Sequence, residues 1–201
     1  MEQLITIHPS KPREPTVRKM FQYKLQPTPA QERALETVLW RCRTLSTCAL
    51  EQRISWWRRG QGKPATRFQQ EAELQEVRAA FPEYAALHSH VLQDVLARLD
   101  RTYHAFFRRG QAGETAGFPR FQGRGRSHSF TSKQSGNGAH LDTGCLVLAK
   151  IGRIAVRWSR PLVGTIKPVT LSREAAGGGC QLLLCPGAPP APPTHRTRDG
   201  P

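Results

Sequence analysis

Hydrophobic positions follow a helical spacing in the first half of the chain. Between residues 28 and 110, apolar side chains recur every three or four positions, which is typical of amphipathic helices. Thr28 with Gln31, and Thr66 with Gln69, form capping boxes that mark two helix starts. We therefore predict three helices, from Thr28 to about Trp57, from about Thr66 to Phe81 and Pro82, and from about Ser89 to Gly110.

Strand-like alternation lies on both sides of these helices. The stretch from Val17 to Leu25 favours a strand, and after Phe130 the apolar runs become short and are separated by glycine and proline. Further strands are predicted at Ser129–Lys133, Cys145–Ala149, Arg153–Trp158, Thr165–Ser172 and Cys180–Leu184. The predicted fold class is α+β, in which a small antiparallel β-barrel, or a twisted sheet of the same strands, is interrupted by a three-helix insertion.

The two ends of the chain differ in composition from the middle. Residues 1–17 contain three prolines among mixed polar residues, and residues 185–201 are rich in proline with almost no apolar content. Because such segments bury too little apolar surface to offset the entropy of ordering, we expect a disordered leader and a disordered tail.

The net charge is the strongest functional signal in the composition. The chain has 30 Lys and Arg against 15 Asp and Glu, a formal net charge of +15 and a pI of about 10.6. A charge this large indicates an anionic partner, and nucleic acid is the commonest one. No apolar run approaches the roughly 20 residues of a membrane-spanning helix. Five cysteines at irregular spacing do not suggest a disulfide framework, and they favour a reducing, cytoplasmic location.

A basic and aromatic segment joins the two halves of the chain. Residues 117–130, GFPRFQGRGRSHSF, interleave arginines with phenylalanines, and Pro119 and the glycines argue against a helix. Arginine pairs with phosphate and aromatic rings stack on bases, so this pattern favours nucleic-acid binding. The alternative is a connector whose phenylalanines pack in the core while its arginines face water.

Basic residues also predominate in the second half as a whole. Between Arg101 and Arg173 there are 13 Lys and Arg against Glu114 and Asp142, so we expect a basic face on the predicted barrel rather than an ordinary solvated surface. The arginines of the first helix, Arg53 among them, are interpreted as a solvated face. The capped helix pair is only weak support for a helix-turn-helix DNA reader.

Residues suited to catalysis or metal binding are sparse. A metal-dependent nuclease needs several carboxylates around Mg²⁺. The acidic residues near and beyond the joining segment are Glu114, Asp142, Glu174 and Asp199. Cys180 and Cys185 are not followed by a second Cys or His pair at zinc spacing. Since a phosphate-binding loop and a dinucleotide fingerprint are also missing, we expect no catalytic residue, metal or cofactor in this chain.

Several segments, taken in order, resemble the N-terminal part of TnpB, the OrfB-type proteins of insertion sequences, which are relatives of the type V CRISPR effector nucleases. The combination of GFPRF, a basic aromatic stretch and the later IGRI and SRE sequences carries the resemblance. It extends over roughly residues 18–184. The matching segments are residues 19–36, 40–53, 89–109, 117–130 and 150–174.

The resemblance implies an architecture and an activity. In this family a β-barrel wedge domain is interrupted after its first strand by a helical recognition domain, and the full proteins are RNA-guided DNA endonucleases. The implied divisions are a first barrel strand at 18–27, a helical domain at 28–116 and the rest of the barrel at 117–184. The implied partners are guide RNA and DNA. The RuvC-type nuclease and the zinc ribbon, which would use Mg²⁺ and Zn²⁺, should follow the SRE segment, where this sequence instead becomes Pro-rich. We therefore expect a truncated member that does not cut DNA.

Ten residues are the candidates for nucleic-acid contact. Phe118 and Phe121 are candidates for packing or stacking. The candidates for phosphate contact are Arg120, Arg124, Arg126, Lys150, Arg153, Arg157, Arg160 and Lys167. Three alternative functions stay open at this point: a DNA-binding regulator that acts through the helical half, one half of a split nuclease completed by another chain, and a degenerate product that barely folds.

Overall fold

The computed structural model is an α+β structure in which helices pack against one antiparallel sheet. The residues that it describes are 20–59, 65–123, 128–132, 138–162, 165–173 and 180–187. The helices are α1 (Pro29–Arg58), α2 (Arg67–Ala80), α3 (Pro82–Ala85) and α4 (Ser89–Gln111). The strands are β1 (Phe21–Gln26), β2 (Ser129–Ser132), β3 (Ala139–Asp142), β4 (Cys145–Leu148), β5 (Gly152–Arg157), β6 (Thr165–Arg173) and β7 (Cys180–Gly187).

The three predicted helices are confirmed, and their starts have the predicted chemistry. The Thr28 hydroxyl accepts a hydrogen bond from the Gln31 amide at 3.4 Å, and the Gln31 side chain accepts one from the Thr28 amide at 3.0 Å. The same reciprocal pair caps α2 through Thr66 and Gln69. The short helix α3 is absent from the prediction, because Pro82, which ends α2, also occupies the first position of this new turn.

The interpretation of Arg53 as a solvated residue of α1 is wrong. Its side chain is only 6 % exposed, and both terminal nitrogens contact Asp100 Oδ1 of α4 at 3.2 Å. Its Nε donates to Gln70 Oε1 of α2 at 2.9 Å, and the Gln70 amide donates to the Ala49 carbonyl at 2.9 Å. Arg53 is buried because this polar network joins the three long helices.

The first strand occupies the middle of the sheet. The strand order is β2-β6-β7-β1-β5-β4-β3, with every neighbouring pair antiparallel. β1 therefore lies between two strands that come after the helices in the chain, with Phe21 opposite Leu184 and Lys24 opposite Arg157. The chain leaves the sheet after β1, forms the helices, and returns to complete the sheet.

One face of the sheet forms part of the core. Tyr23 and Leu25 of β1 and Ile154 and Val156 of β5 are buried, whereas the residues between them are exposed. This period of two is the one that a half-buried strand requires. The apolar stripes of α1 and α4 belong to the same core, so the helices and the sheet share one apolar interior.

Arg98 of α4 links the helices to the edge strand β2. Its Nη1 donates to the Ser129 carbonyl at 3.0 Å and to the Ser129 hydroxyl at 3.1 Å, and its Nη2 donates to the Thr131 hydroxyl. Asp94 holds the guanidinium from the same helix through a contact of 2.7 Å to Nε. The β2 edge is thereby covered by a helix, which protects it from pairing with another chain.

The described strands form a seven-stranded sheet, and no ladder among the described residues joins its edge strands β2 and β3. The closed barrel expected from the sequence is therefore not among the pairings that the structure describes. The two edges do approach each other at one end. A Cβ built on Gly138, which precedes β3, would collide with the Ser132 hydroxyl oxygen of β2. Only a glycine fits so close to that oxygen.

The strands of the second half differ from the prediction at two places. β3 is absent from the prediction, because its four residues, AHLD, have only weak apolar alternation. β7 continues to Gly187, three residues into the predicted disordered tail, and Thr165 pairs with Gly187. The tail prediction is wrong for these residues because backbone pairing with β6 extends the strand despite the proline. The β6–β7 ladder is irregular between Ile166 and Val169, where its register shifts as at a β-bulge. The remaining tail residues and the leader at 1–17 lie outside the described residues.

Candidate nucleic-acid interface

The outer side of β1 and β5 carries three basic residues, which we call the basic sheet face (Lys24, Arg153 and Arg157). Lys24 lies directly opposite Arg157 in the ladder. Because Ile154 and Val156 are buried, the alternating Arg153 and Arg157 lie on the other face, and they are exposed like Lys24. Like charges directly opposite each other on neighbouring strands repel, so this pair lowers stability unless an anion binds.

Arg153 is held in place by two polar contacts on this face. Its Nη1 lies 2.8 Å from Asp142 Oδ2, and its Nη2 donates to the Thr143 hydroxyl at 2.6 Å. Its carbonyl accepts a hydrogen bond from the Gln31 side chain of α1 at 2.7 Å. Arg153 and Asp142 are both about half exposed, and such surface pairs contribute only about 0–1 kcal/mol. A phosphate group could therefore replace Asp142 as the partner of Arg153 at small cost.

Arg160 does not belong to the basic sheet face. Its guanidinium carbon lies 5.4 Å from the ring centroid of Phe21, and its carbonyl accepts a hydrogen bond from the Tyr23 hydroxyl at 3.4 Å. Phe21 and Tyr23 have the same strand parity, which is the buried one. Trp158 completes this group, with its ring 4.7 Å from that of Tyr23. Arg160 is exposed, but it lies at the border of the core face.

The GFPRF segment packs on the end of α4 and remains partly exposed. The Phe118 ring makes edge contacts with Tyr103 at 5.8 Å and with Phe106 at 5.4 Å, yet it is 48 % exposed. Pro119 is buried, while Phe121 is also 48 % exposed. The sequence suggested either a connector packed in the core or an exposed binding surface. The segment combines both, because it packs on α4 while its rings stay half exposed.

Arg120 projects from this segment beside a small cavity. The cavity of about 100 Å³ lies between α1, α4 and Ser129, and it is lined by consecutive residues of the segment, Pro119 to Gln122. Arg120 is exposed. A flat aromatic surface next to an exposed cation suits a nucleic-acid strand, because rings stack on bases while arginine pairs with phosphate.

The predicted contact residues divide into separate places in the structure. Arg153 and Arg157 come together on the basic sheet face, and Phe118, Arg120 and Phe121 come together at the end of α4. Lys150 lies apart from both, exposed in the turn between β4 and β5. Arg124 and Arg126, and the side chain of Lys167, lie outside the described residues.

Some exposed basic residues were missed by the sequence reasoning. Lys24 is not among the predicted contact residues, because its position opposite Arg157 depends on the strand order, which the alternation within a single strand does not contain. Arg101, Arg108 and Arg109 are exposed along the last turns of α4. The count of basic residues from Arg101 to Arg173 included all three, but it assigned them to a face of the predicted barrel, whereas they lie on a helix.

Two further properties concern the described part of the chain. Within it, no group of three or more His, Cys, Asp or Glu side chains is arranged so that it could hold a metal ion. Across the same residues, none of the helices combines the length and the apolar character needed to span a membrane.

Comparison with known proteins identifies relatives over most of the chain. A protein of Streptomyces pristinaespiralis named "Putative RNA-guided DNA endonuclease" is 31 % identical over 186 residues, which are 89 % of this chain and 44 % of that protein. The protein of Escherichia coli (strain K12) named "Putative RNA-guided DNA endonuclease InsQ" is 38 % identical over 88 residues, 43 % of this chain and 20 % of that protein. No protein-family model matches the chain.

These matches confirm the resemblance that the sequence motifs indicated. The chain is homologous to the proteins named as RNA-guided DNA endonucleases of the TnpB and InsQ type over most of its own length. The chain spans less than half the length of the curated relatives that it matches.

Proposed function

We propose that this chain is a nucleic-acid-binding part of a TnpB-like RNA-guided DNA endonuclease, and that it binds guide RNA and DNA through their phosphate backbones. Two relatives are named for RNA-guided action on DNA, which gives the class of ligand. The net charge of +15 supports the same class, since phosphate neutralisation dominates the affinity of such proteins.

The observation that carries the proposal is the cross-strand pair of Lys24 and Arg157. Two exposed cations at directly opposite positions oppose the pairing of β1 with β5, so the fold has to compensate for their repulsion. The same-face neighbours Gln26 and Ala155 supply no negative charge. A phosphate backbone removes the repulsion because one anionic chain neutralises both side chains at once.

The other candidate residues have distinct proposed roles. Arg153 exchanges Asp142 for a phosphate when nucleic acid binds, while Arg120 pairs with phosphate next to the half-exposed rings of Phe118 and Phe121. Arg160 and Lys150 contact phosphate at the border of the sheet. Arg124, Arg126 and Lys167 stay predictions based on the sequence alone.

We also propose that the sheet closes into the wedge-type barrel of the family. The close approach of Gly138 to Ser132 supports closure, because these residues belong to the two ends of the strand order. In a barrel, the basic sheet face would lie on the convex outer surface, where a nucleic-acid duplex can reach it.

The proposed activity is binding without cleavage. No residue of this chain is assigned a role in cutting DNA, and Mg²⁺ and Zn²⁺ are assigned to the nuclease part of the family rather than to this chain. Incubation of the purified protein with Mg²⁺, a guide RNA and a matching DNA should give a shifted complex in a gel and uncut DNA.

Three outcomes of that experiment would contradict the proposal. Cleaved DNA would show that the chain holds its own catalytic site. Failure to bind RNA or DNA at low salt would remove the function altogether. A strong preference for one duplex sequence over structured RNA would instead support a DNA-binding regulator.

A further inference from the structure

The turn that joins β3 to β4 has an unusual residue at its first central position. Thr143 and Gly144 lie between the paired residues Asp142 and Cys145, and their φ angles are 41° and 79°. Positive φ at both central positions is the pattern of a type I′ turn, at which Asn-Gly and Asp-Gly are preferred. Threonine is disfavoured there, because its β-branched side chain crowds the backbone. The fold therefore holds Thr143 in a strained conformation.

The strained residue contacts a candidate for phosphate binding. The Thr143 hydroxyl accepts a hydrogen bond from Arg153 Nη2 at 2.6 Å, while Arg153 Nη1 lies 2.8 Å from Asp142 Oδ2. Strained residues concentrate at functional sites, where the surrounding structure maintains them. In the part of the chain that the structure describes, the other non-glycine residue with a positive φ is Lys150, which is also a candidate for phosphate contact.

The turn is held against β5 from both faces of the sheet. Arg153 contacts it on the outer face. On the core face, the Trp158 ring packs on the buried Tyr23, and its Nε1 donates to the Gly144 carbonyl at 2.8 Å. Because the contact from Trp158 does not involve Arg153, it keeps the turn in place when Arg153 changes its partner.

We propose that Thr143 is a positioning residue for phosphate binding, which keeps the Arg153 guanidinium oriented while a phosphate displaces Asp142. The inference rests on the proposed function, because it explains how one residue of the basic sheet face is oriented. The Asp142 carboxylate competes with phosphate since both are anions, whereas the neutral Thr143 hydroxyl leaves the positive charge available. A guanidinium that is already oriented loses less conformational entropy on binding.

Two variants of Thr143 test the role of its hydroxyl group. The affinity of the intact chain for a fluorescently labelled RNA hairpin is measured by anisotropy over a range of salt concentrations. Thr143→Gly removes the hydroxyl and accepts the positive φ, so the affinity should fall about two- to tenfold without a lower melting temperature. Thr143→Ser keeps the hydroxyl and should bind as tightly as the unchanged chain. The slope of log K against log[salt] should stay the same in both, because no charge is removed.

Two further variants separate positioning from a structural role of the turn. Asp142→Asn removes the competing anion and should raise the affinity by up to about fivefold, the most that an exposed ion pair usually contributes. If the turn only supported the fold, Asp142→Asn and Thr143→Gly would both weaken binding. In a chain that carries Arg153→Gln, Thr143→Gly should have no further effect, because the guanidinium that it orients is missing.

The results separate this inference from the proposed function. The inference would be overturned if Thr143→Gly bound as tightly as the unchanged chain, or if Thr143→Ser were weakened equally. Weaker binding by Asp142→Asn, or a loss in Thr143→Gly that persists beside Arg153→Gln, would overturn it too. In each of these cases, salt-dependent binding of the hairpin by the unchanged chain would leave the proposed function standing. Absence of any binding of RNA or DNA would contradict both.

Discussion

Arg53 and Arg157 show how differently the helices and the sheet use the same side chain. Arg53 of α1 is 6 % exposed and is satisfied by Asp100 and Gln70, with its guanidinium 5.0 Å from the Tyr103 ring centroid. Arg157 of β5 is exposed and lies opposite another cation, Lys24. One arginine is part of the folded core, and the other is available to a ligand.

This difference shows that the net charge of a chain does not tell how many of its basic residues are free to contact a ligand. In the helical region, part of the positive charge is used in contacts within the fold. Arg53 binds Asp100 of α4, and Arg98 binds Ser129 of β2. The sheet displays its charge on a face whose opposite side is apolar. The comparison can be tested by removing single charges from each region and measuring stability and binding separately.

The largest effect on stability is expected from Arg53→Met. The change leaves Asp100 and Gln70 without their buried partner, so the free energy of unfolding should fall by about 2–4 kcal/mol, slightly less than for a fully buried pair because Asp100 is 24 % exposed. Urea unfolding followed by circular dichroism measures the change. Replacing Asp100 with leucine in the same chain should recover part of this stability.

The matched control is Arg157→Met on the sheet. Because this side chain is exposed and faces Lys24, its removal should change stability by less than about 0.5 kcal/mol or should raise it slightly. If the two methionine variants were equally destabilised, the distinction between a structural and a displayed arginine would be wrong.

A smaller destabilisation is expected from Arg98→Met. This change removes the hydrogen bonds from α4 to Ser129 and Thr131 and the contact with the buried Asp94 carboxylate, and should cost about 1–3 kcal/mol. Hydrogen exchange should become faster for the amides of β2 than for those of β5. Arg108→Met, at an exposed position of the same helix, is the control and should have little effect. Uniform acceleration across both strands would contradict the assigned link.

The smallest effect concerns the thiol of Cys42 in the helical core. Burial, the main cause, raises the pKa of Cys42 from 9.0 to about 12. Because the folded protein holds the Cys42 proton more tightly than the unfolded chain does, the free energy of unfolding is highest below pH 9. This contribution to stability is lost as the pH rises from 9 towards 12. The decrease in stability should reach about 1 kcal/mol by about pH 10.

The readout is the difference between two alanine variants over that pH range. Cys42→Ala should lack this part of the decline in unfolding free energy, whereas alanine at the exposed Cys48 should keep it. Tyrosines that titrate in the same range contribute to both variants and cancel. Identical slopes in the two variants would show that the Cys42 thiol is not buried as described.

Local signals made most of the fold predictable from the sequence. The capping boxes at Thr28 and Thr66 lie where the helices begin, because capping depends on residues three positions apart. Alternation likewise located β5 and β6. The short elements α3 and β3 were not predicted, because four residues contain too few positions to establish a hydrophobic period.

The candidate site was less predictable, because it depends on contacts between distant residues. Helical spacing places Arg53 on the buried stripe of α1, four residues after Ala49, but the partners that satisfy its charge there, Gln70 and Asp100, are 17 and 47 positions away. The pairing of Lys24 with Arg157 also requires the strand order. Homology and charge support the proposed class of ligand, whereas the geometry shows how the candidate residues are grouped.

The central claim is that the basic sheet face binds a nucleic-acid backbone, and the salt dependence of binding tests it most directly. The affinity of the chain for structured RNA should fall steeply with salt concentration. Replacing Lys24, Arg153 and Arg157 together with glutamine should make the slope of log K against log[salt] shallower by about 0.7–0.9 for each phosphate that these side chains neutralise. Arg53→Met, assayed at a temperature where it is folded, should keep the original slope. A slope unchanged in the triple variant would contradict the claim.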